Sequence, residues 1–380
     1  MQSPGTRVAL FLPSLHGGGL ERSMVSLANA FAAEGFATDL VVGQATGPCR
    51  TSVSRPVNVV ELKRRRLLSC LPALVLYLRR SLPEVMLSTP NQANIIAILA
   101  RTMAGVETRL VVREASTLSL AARNARNRRG HLRPICTRMC YGMADGVVAI
   151  SAGVADDLAA CAGIERARVS VIYNGIDVRE ILRAAAGPIE HTWLQPGGPP
   201  VILGAGRLTR AKDFPTLIRA FAELRLRKEA RLIILGEGEE RPRLQALICD
   251  LRLESHVDLP GFARNPYPYM ARARVFALSS AWEGFGNVVL EALACGTPVV
   301  STDCPSGPAE ILARGTYGTL VPVGDAAALA EALARALEAA ADPDGIRQRQ
   351  ERVLAFSQEK VVEQYLHVLG LSAPVPLSLA

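Results

Sequence analysis

The sequence lacks any long apolar run. Its longest candidate, residues 67–78, has only 12 residues and contains Pro72, whereas a membrane-spanning helix needs about 18 apolar residues or more. The N-terminus also lacks the succession of basic, apolar and small residues that marks an export signal. These two absences predict a protein that is neither integral to a membrane nor exported.

Cysteine is scarce and scattered. Eight cysteines among 380 residues are too few for a disulfide scaffold, and no two of them form a Cys-x-x-Cys pair. No pair of histidines completes a set of zinc ligands either. The sequence therefore predicts reduced, buried thiols and a cytoplasmic location.

Aromatic residues make up only 5% of the chain, and no recognised nucleic-acid-binding module is present. Proteins that bind single-stranded nucleic acid use aromatic side chains on which bases stack. We therefore predict that the protein has no nucleic-acid partner.

Basic residues are present in excess, but only in the first half of the chain. The net charge is +8, and residues 61–140 alone hold 15 Lys/Arg against 4 Asp/Glu. The run 63–66 directly precedes the amphipathic segment 67–78, and a second group comprises Arg123, Arg126, Arg128, Arg129 and Arg133. Each basic residue near anionic lipid is worth about 1 kcal/mol. This pattern predicts peripheral docking on the inner face of the cytoplasmic membrane, with scattered solubilising charge as the alternative.

Short β-branched runs alternate with helical patterns along both halves of the chain, which predicts an α/β fold. Strands are predicted at residues 7–12, 38–43, 57–62, 85–88, 109–113, 147–150 and 169–173, and again at 201–205, 231–235, 257–259, 275–279, 298–302 and 319–322. This alternation is typical of parallel sheets with helices on both faces. We expect two doubly wound, Rossmann-like units facing each other across a cleft, with ligands at the carboxyl ends of the strands.

The domain boundaries follow from breaks in this alternation. Residues 176–200 end in Gln-Pro-Gly-Gly-Pro-Pro, which is typical of an interdomain linker. We place the domains at 1–178 and 179–356. A last helix, predicted at 357–369 behind a serine N-cap, and a frayed tail make up residues 357–380. This C-terminal helix is expected to cross back to the first domain.

The most informative motif joins a predicted strand to a predicted helix in the second half. A glycine-rich loop there carries Glu283, and Glu291 follows about one turn into the helix. The backbone amides that open such a helix form a site for an anionic group; they belong to Gly284, Phe285, Gly286, Asn287 and Val288. Two carboxylates beside a phosphate site suit a sugar nucleotide, whereas the alternative makes both glutamates solvated caps.

Two further segments place functional groups after predicted strands. Arg207 and Lys212 follow the strand 201–205, where a guanidinium and an ammonium suit a diphosphate; a solvated loop is the alternative. The Gly-x-Gly of this segment lacks the third glycine of a dinucleotide-binding fingerprint. In the first half, Gly17 and Gly18 let the backbone approach a phosphate or a sugar, although a tight turn explains them equally well.

These motifs together resemble the group 4 retaining glycosyltransferases. Glu283 and Glu291 reproduce the Glu-x7-Glu spacing of that family. The Gly-Arg-Leu…Lys-Asp-Phe, Glu-Gly-Phe-Gly-Asn-Val and Gly-Thr-Pro-Val-Val-Ser-Thr-Asp-Cys-Pro-Ser-Gly-Pro segments are similar to its C-terminal blocks, and Gly-Gly-Gly-Leu-Glu-Arg is similar to its N-terminal motif with one extra residue. The resemblance implies a GT-B fold, in which the N-terminal domain binds the acceptor and the C-terminal domain binds the nucleotide-sugar donor.

The resemblance also implies roles for the motif residues. Arg207 and Lys212 would hold the diphosphate, Glu291 the ribose hydroxyls, and Glu283 with the amides of 284–286 the donor sugar, while the backbone of Gly17 and Gly18 would close on the donor. The subgroup implied by residues 303–308 builds lipopolysaccharide cores and lipid-linked or exported polysaccharides, mostly from UDP-sugars. We therefore expect a retaining hexosyltransferase or N-acetylhexosaminyltransferase with a UDP-sugar co-substrate, a glycan or lipid-linked acceptor, no cofactor and no metal.

One segment departs from the family pattern. Many members carry a histidine after the fifth strand, but residues 112–117 contain none. We predict that Arg113 and Glu114 bind the acceptor instead, with a different mode of holding the donor sugar as the alternative. An Asp-x-Asp sequence occurs at 342–344, but it lies between two predicted helices, so we interpret it as a turn and not as a metal site.

Two other classes of function remain open at this point. A nucleotide-sugar epimerase or phosphorylase shares the two-unit architecture, although the Glu-x7-Glu pattern with Arg207 and Lys212 favours sugar transfer. The third hypothesis is a non-catalytic partner in polysaccharide assembly. Release of UDP that depends on an added acceptor distinguishes the transferase from both.

Overall fold

A computed structural model of the protein describes residues 5–125, 128–340 and 342–372. These residues form two compact units, and the chain passes from one unit to the other twice. The chain up to Gly175 and the chain from Gln358 onward form the first unit, and Ile176–Ser357 forms the second. The predicted fraying of the tail falls mostly on residues outside the described part of the chain. No helix within the described part is both long and apolar enough to cross a bilayer.

The first unit is built on a parallel sheet. In chain order its strands are β1 (Arg7–Ser14), β2 (Ala37–Gln44), β3 (Asn58–Glu61), β4 (Val85–Ser88), β5 (Arg109–Glu114), β6 (Gly146–Ala149) and β7 (Val169–Val171). Their order across the sheet is β3-β2-β1-β4-β5-β6-β7. The helices between them are α1 (Gly19–Ala33), α2 (Leu71–Ser81), α3 (Asn91–Ala104), α4 (Leu118–Arg123), α5 (Arg128–His131), α6 (Arg133–Cys140) and α7 (Ala152–Ala162).

The second unit repeats this plan with a six-stranded parallel sheet. Its strands are β8 (Val201–Ala205), β9 (Arg231–Leu235), β10 (Val257–Gly261), β11 (Val275–Leu278), β12 (Val299–Thr302) and β13 (Thr319–Val321), and its helices are α8 (Val178–Ala185), α9 (Phe214–Arg225), α10 (Arg241–Asp250), α11 (Tyr267–Arg272), α12 (Asn287–Ala294), α13 (Pro308–Ile311), α14 (Ala326–Glu338) and α15 (Pro343–Val353). The strand order β10-β9-β8-β11-β12-β13 reverses between β8 and β11. Open α/β sheets bind ligands at such a switch point.

These architectures confirm the predicted fold class of two doubly wound α/β units. Central strands such as β4 and β8 are buried along their whole length, as expected of strands covered by helices on both faces. Three predicted strands, at 85–88, 201–205 and 231–235, have the bounds that the structure shows. The ends of the others differ by one or two residues.

The predicted linker at 176–200 is wrong. The segment belongs to the second unit and contains α8 and a short 3-10 helix, Thr192–Leu194. The Asp177 carboxylate caps α8 by accepting a 2.9 Å hydrogen bond from the amide of Glu180. Ile181 and Leu194 are buried, so this segment is held by packing that its loop-like composition conceals.

The last helix, α16 (Gln358–Leu369), lies in the first unit. Its residues Val361, Val362, Tyr365, Leu366 and Leu369 join the same hydrophobic core as α1 and β1. The chain therefore returns to the first unit after completing the second.

Candidate functional site

The site in the second unit is built around the loop between β11 and α12. Gly286 caps α12 with a φ of 92°, a backbone conformation that favours glycine. Gly307, which precedes α13, is required for a different reason, because a Cβ there would lie 1.9 Å from the carbonyl oxygen of Phe285. These two glycines allow the turn that brings the first amides of α12 to the switch point of the sheet.

Lys212 and Glu283, two of the predicted site residues, are in direct contact. The Lys212 ammonium forms an ion pair with Glu283 Oε1. Both side chains are mostly buried, with exposed fractions of 17% and 11%. Because Lys212 follows β8 and Glu283 follows β11, the pair spans the switch point between these neighbouring strands.

Two serines that follow β11 hold this pair in place. The Ser280 hydroxyl donates a 2.6 Å hydrogen bond to Glu283 Oε1, and the Ser279 hydroxyl donates a 2.9 Å bond to the carbonyl oxygen of Lys212. The amide of Ala281 also donates to the carbonyl of Ala211 at 2.8 Å. Neither serine was predicted as a site residue. Their position at the end of a predicted buried strand was the signal that the sequence offered.

Arg207 lies in the same loop as Lys212 but in a different environment. It is exposed, and its guanidinium has no hydrogen-bond or ion-pair partner among the described residues. The loop itself is fixed by a 2.9 Å hydrogen bond from the amide of Leu208 to the carbonyl of Glu237. A cation on an ordered loop, without an internal partner, suits an external anion.

Glu291 and Cys304 lie on the segments that follow the Glu283 loop along the chain. Glu291 lies about one turn into α12 and is buried. Cys304 follows β12. The pKa of its thiol is raised to about 12, mainly by burial and to a smaller extent by the nearby Glu283 charge. At neutral pH this thiol is protonated and adds no negative charge to the site.

The other predicted donor residues lie in the first unit. Gly17 has a φ of 95° and Gly18 is the N-cap of α1. A Cβ at Gly17 would come within 2.6 Å of Pro48 Cγ, so glycine is required there for packing as well as for backbone conformation. The structure thus gives Gly17 a local role, and its contact with a donor stays a prediction.

Arg113 and Glu114, which were predicted to bind the acceptor, are both buried inside the first unit. Arg113 Nε donates a 2.9 Å hydrogen bond to the Tyr365 hydroxyl in α16. Glu114 Oε2 accepts hydrogen bonds from Asn91 Nδ2 at 3.0 Å and from the Tyr141 hydroxyl at 2.9 Å. This enclosure argues against direct contact with an acceptor and favours a structural role.

Burial also gives Glu114 an unusual titration. Loss of hydration raises its pKa from 4.5 to about 7, while its hydrogen bonds with Asn91 and Tyr141 oppose the shift. The unfolded chain then releases this proton at a lower pH than the folded protein does. Stability therefore falls as the pH rises from about 4.5 through about 7.

Glu114→Gln is expected to remove this pH dependence. Glutamine stays neutral and retains an oxygen that accepts from Asn91 and Tyr141. Wild type should lose about 3 kcal/mol of stability between acidic pH and pH 8 that the variant does not lose. Melting curves of both proteins at the two pH values measure this difference. Parallel pH profiles would contradict the assignment.

The Asp-x-Asp sequence at 342–344 begins a helix and does not form the predicted turn, since α15 starts at Pro343. Asp342 is the N-cap of α15, and its carboxylate accepts a 2.8 Å hydrogen bond from the amide of Gly345. Asp344 lies in the first turn of the same helix, where a negative charge is favourable.

Two family models match this chain. The model described as Glycosyltransferase Family 4 matches residues 17–180, and the one described as Glycosyl transferases group 1 matches residues 189–352. The two matches fall largely on the first and second units respectively.

Among curated proteins, the chain is similar to an N-acetylgalactosamine-N,N'-diacetylbacillosaminyl-diphospho-undecaprenol 4-alpha-N-acetylgalactosaminyltransferase of Campylobacter jejuni. The two are 36% identical over 284 residues, which cover 73% of this chain and 74% of the relative. A second relative is the lipopolysaccharide core biosynthesis glycosyltransferase LpsE of Rhizobium meliloti, 38% identical over 181 residues, or 46% of this chain and 51% of that protein.

Solved structures show the same fold. A sucrose-phosphate synthase from Thermosynechococcus elongatus superimposes with a TM-score of 0.80 at 22% identity, covering 96% of this chain and 98% of that one. Anabaena Alr3699/HepE in complex with UDP-glucose gives a TM-score of 0.78 at 21% identity, covering 96% and 99%. At this level of identity the likeness concerns the fold.

Proposed function

This chain belongs to the glycosyltransferases of the family 4 and group 1 type, with a GT-B fold, and from that premise we propose that it transfers a hexose or N-acetylhexosamine from a UDP-sugar, with retention, to a glycan or lipid-linked glycan acceptor. Family membership confirms the prediction of a glycosyltransferase over an epimerase, a phosphorylase or a non-catalytic partner. The observation that carries the finer proposal is the Lys212–Glu283 pair at the β8–β11 switch point.

The donor proposal rests on the chemistry of this switch point. A nucleoside diphosphate brings two phosphates, which suit the Arg207 guanidinium, the Lys212 ammonium and the first amides of α12. Its hydroxyls suit carboxylates, and we assign the ribose to Glu291 and the transferred sugar to Glu283. A HepE structure that contains UDP-glucose supports UDP as the nucleotide.

The proposed mechanism uses fixed positive charge. As the bond between the sugar and the diphosphate breaks, negative charge grows on the departing UDP and oxocarbenium character develops on the sugar. Groups already aimed at the diphosphate stabilise that state without reorganisation. Arg207 and Lys212 then supply the charge that a divalent metal supplies in other transferases. The acceptor hydroxyl attacks from the face that UDP leaves and transfers its proton to a phosphate oxygen of the departing UDP, which retains the anomeric configuration.

The acceptor class and the place of action are proposed from relatives and from charge. The Campylobacter jejuni relative is named for a diphospho-undecaprenol substrate and the Rhizobium meliloti relative for lipopolysaccharide core biosynthesis. A lipid-linked acceptor lies in a membrane, and the excess of basic residues over 61–140 favours contact with anionic lipid. We assign the reaction to the cytoplasmic face of that membrane, in the synthesis of cell-surface polysaccharide or lipopolysaccharide.

A donor screen followed by product analysis tests this function. With EDTA present, UDP-sugars should raise the melting temperature, since a ligand that binds the folded state stabilises it. UDP release should then depend on an added glycan acceptor, and NMR should show an α-linked product from an α-linked donor. Stabilisation by no UDP-sugar, or a β-linked product, would contradict the proposal.

A further inference from the structure

Exposed apolar side chains are distributed very unevenly over the first unit. Among its described residues, every large apolar side chain that is well exposed lies in or beside α2, α3 and α6: Leu68, Leu76, Leu82, Leu99, Met103, Leu132, Ile135, Met139 and Met143. The exposed apolar side chains of the second unit are distributed over many separate elements. Apolar surface concentrated in one place marks an interaction site more often than scattered residues do.

The three helices form one continuous surface. α2 packs against α3, and α3 packs against α6. Arg79 of α2 also donates a 2.9 Å hydrogen bond to the carbonyl of Met103 in α3, and Arg101 of α3 donates to the carbonyl of Met143, three residues beyond the end of α6. Right-handed crossovers place these helices on the sheet face opposite α1. We call this surface the α2–α3–α6 face.

The apolar side chains of α6 lie along one side of the helix. Leu132, Ile135 and Met139 are spaced by three and four residues, which places them on one side of an α-helix. Thr137 on the other side is buried in the unit. Met139 is 74% exposed, so α6 presents an apolar edge to solvent although its opposite edge already packs against the unit.

Basic side chains surround this apolar surface. Residues 61–140 hold 15 Lys/Arg and only 4 Asp/Glu, and Glu114 is one of those four and is buried. The exposed basic side chains on or next to the face include Lys63, Arg64, Arg65, Arg66, Arg80 and Arg138. Apolar side chains bordered by long cationic ones are typical of segments that lie in a membrane interface.

The structure favours α6 over the segment 67–78 as the apolar part of this surface. In α2 the main apolar side, with Leu74, Tyr77 and Leu78, is buried in the unit and is unavailable to a partner. The run 63–66 still supplies positive charge, but the longest exposed apolar row is that of α6.

We propose that the α2–α3–α6 face docks on an anionic lipid bilayer and inserts the Leu132, Ile135 and Met139 side chains between the headgroups. The arginines contact lipid phosphates, and the apolar row makes the binding persist at salt concentrations that screen charge alone. The inference rests on the proposed function in one respect, since docking brings the enzyme to the membrane that contains a lipid-linked acceptor. Its test is independent of sugar transfer.

Vesicle flotation with the full chain tests the proposal. Wild type should float with phosphatidylcholine vesicles that contain about 30% phosphatidylglycerol, and less with pure phosphatidylcholine. Ile135→Glu/Met139→Glu should weaken that binding by about tenfold or more, because two buried apolar contacts are replaced by charges that anionic lipid repels. Leu226→Glu, at an exposed leucine of the second unit, is the matched control and should bind like wild type.

The variants also separate docking from catalysis. Transfer to a soluble acceptor should be equal in wild type and in Ile135→Glu/Met139→Glu. Lack of transfer by wild type would contradict the proposed function without affecting the docking proposal. No flotation of wild type, or equal flotation of the double variant, would overturn the docking proposal. Binding to an acidic protein without binding to vesicles would overturn it as well.

A label placed on the face gives a second measurement that needs no destabilising change. Cys136 is exposed on α6, and Cys249 is exposed in the second unit. An environment-sensitive fluorophore on Cys136 in a Cys249→Ser protein should shift to the blue when anionic vesicles are added. The same fluorophore on Cys249 in a Cys136→Ser protein should not. Equal responses would contradict insertion through α6.

Discussion

Arg207→Ala is expected to lower kcat for sugar transfer by roughly 10²–10³-fold, by analogy with the loss of one oxyanion donor. The guanidinium lies on the loop after β8, and we propose that it contacts the diphosphate as negative charge grows there. Because the side chain is exposed and its guanidinium has no partner among the described residues, its removal should leave the melting temperature unchanged. Steady-state kinetics and a thermal melt measure the two effects.

Arg210→Ala is the matched control for Arg207→Ala. Arg210 lies three residues further along the same loop and is 79% exposed, with only a 3.9 Å contact to Glu240. It carries the same charge, so a general electrostatic effect would lower activity equally in both variants. Full activity of Arg207→Ala in a folded protein would contradict the assigned role.

Lys212→Ala is expected to lower kcat by a similar factor of about 10²–10³ and, unlike Arg207→Ala, to destabilise the second unit. The ammonium neutralises Glu283 in a mostly buried position, and its loss leaves that carboxylate with the Ser280 hydroxyl but without its cation. We expect a destabilisation of about 1–3 kcal/mol. Thermal melts and transfer assays on the same samples measure both quantities.

A double variant separates the two consequences of losing Lys212. In Lys212→Met/Glu283→Gln both charges are removed, and the glutamine oxygen still accepts from Ser280. Stability should return most of the way to that of wild type, whereas activity should not. Lys228→Ala, which removes an exposed lysine paired with Glu338, is the control and should change neither. Recovery of activity in the double variant would show that Lys212 serves only to neutralise Glu283.

The two sheets could be predicted from the sequence because their buried strands are encoded locally. Buried parallel strands appear as short β-branched runs, and three of them were predicted with the bounds observed. Lys212 and Glu283 were both predicted to follow strands, whereas their direct ion pair was not predicted. The structure adds that β8 and β11 are neighbours, which no local pattern reveals.

The features that the sequence did not reveal depend on interactions between distant parts of the chain. Residues 176–200 resemble a linker in composition, yet Ile181 and Leu194 are buried in the second unit. Arg113 and Glu114 look like exposed functional charges at a strand end. Their burial depends on partners as far away as Tyr365, 252 residues from Arg113. Such distant hydrogen bonds offset the cost of burying charge, and a single sequence does not display them.

The central claim is that Arg207, Lys212, Glu283 and Glu291 surround one diphosphate-bearing ligand, and a crystal structure of the protein with UDP-sugar tests it most directly. We expect the Arg207 guanidinium and the Lys212 ammonium to lie within about 3 Å of phosphate oxygens, and the Glu291 carboxylate to accept from the ribose hydroxyls. The carboxylate of Glu283 should contact the transferred sugar. Phosphates bound elsewhere on the chain, with the Lys212–Glu283 pair untouched, would contradict the account.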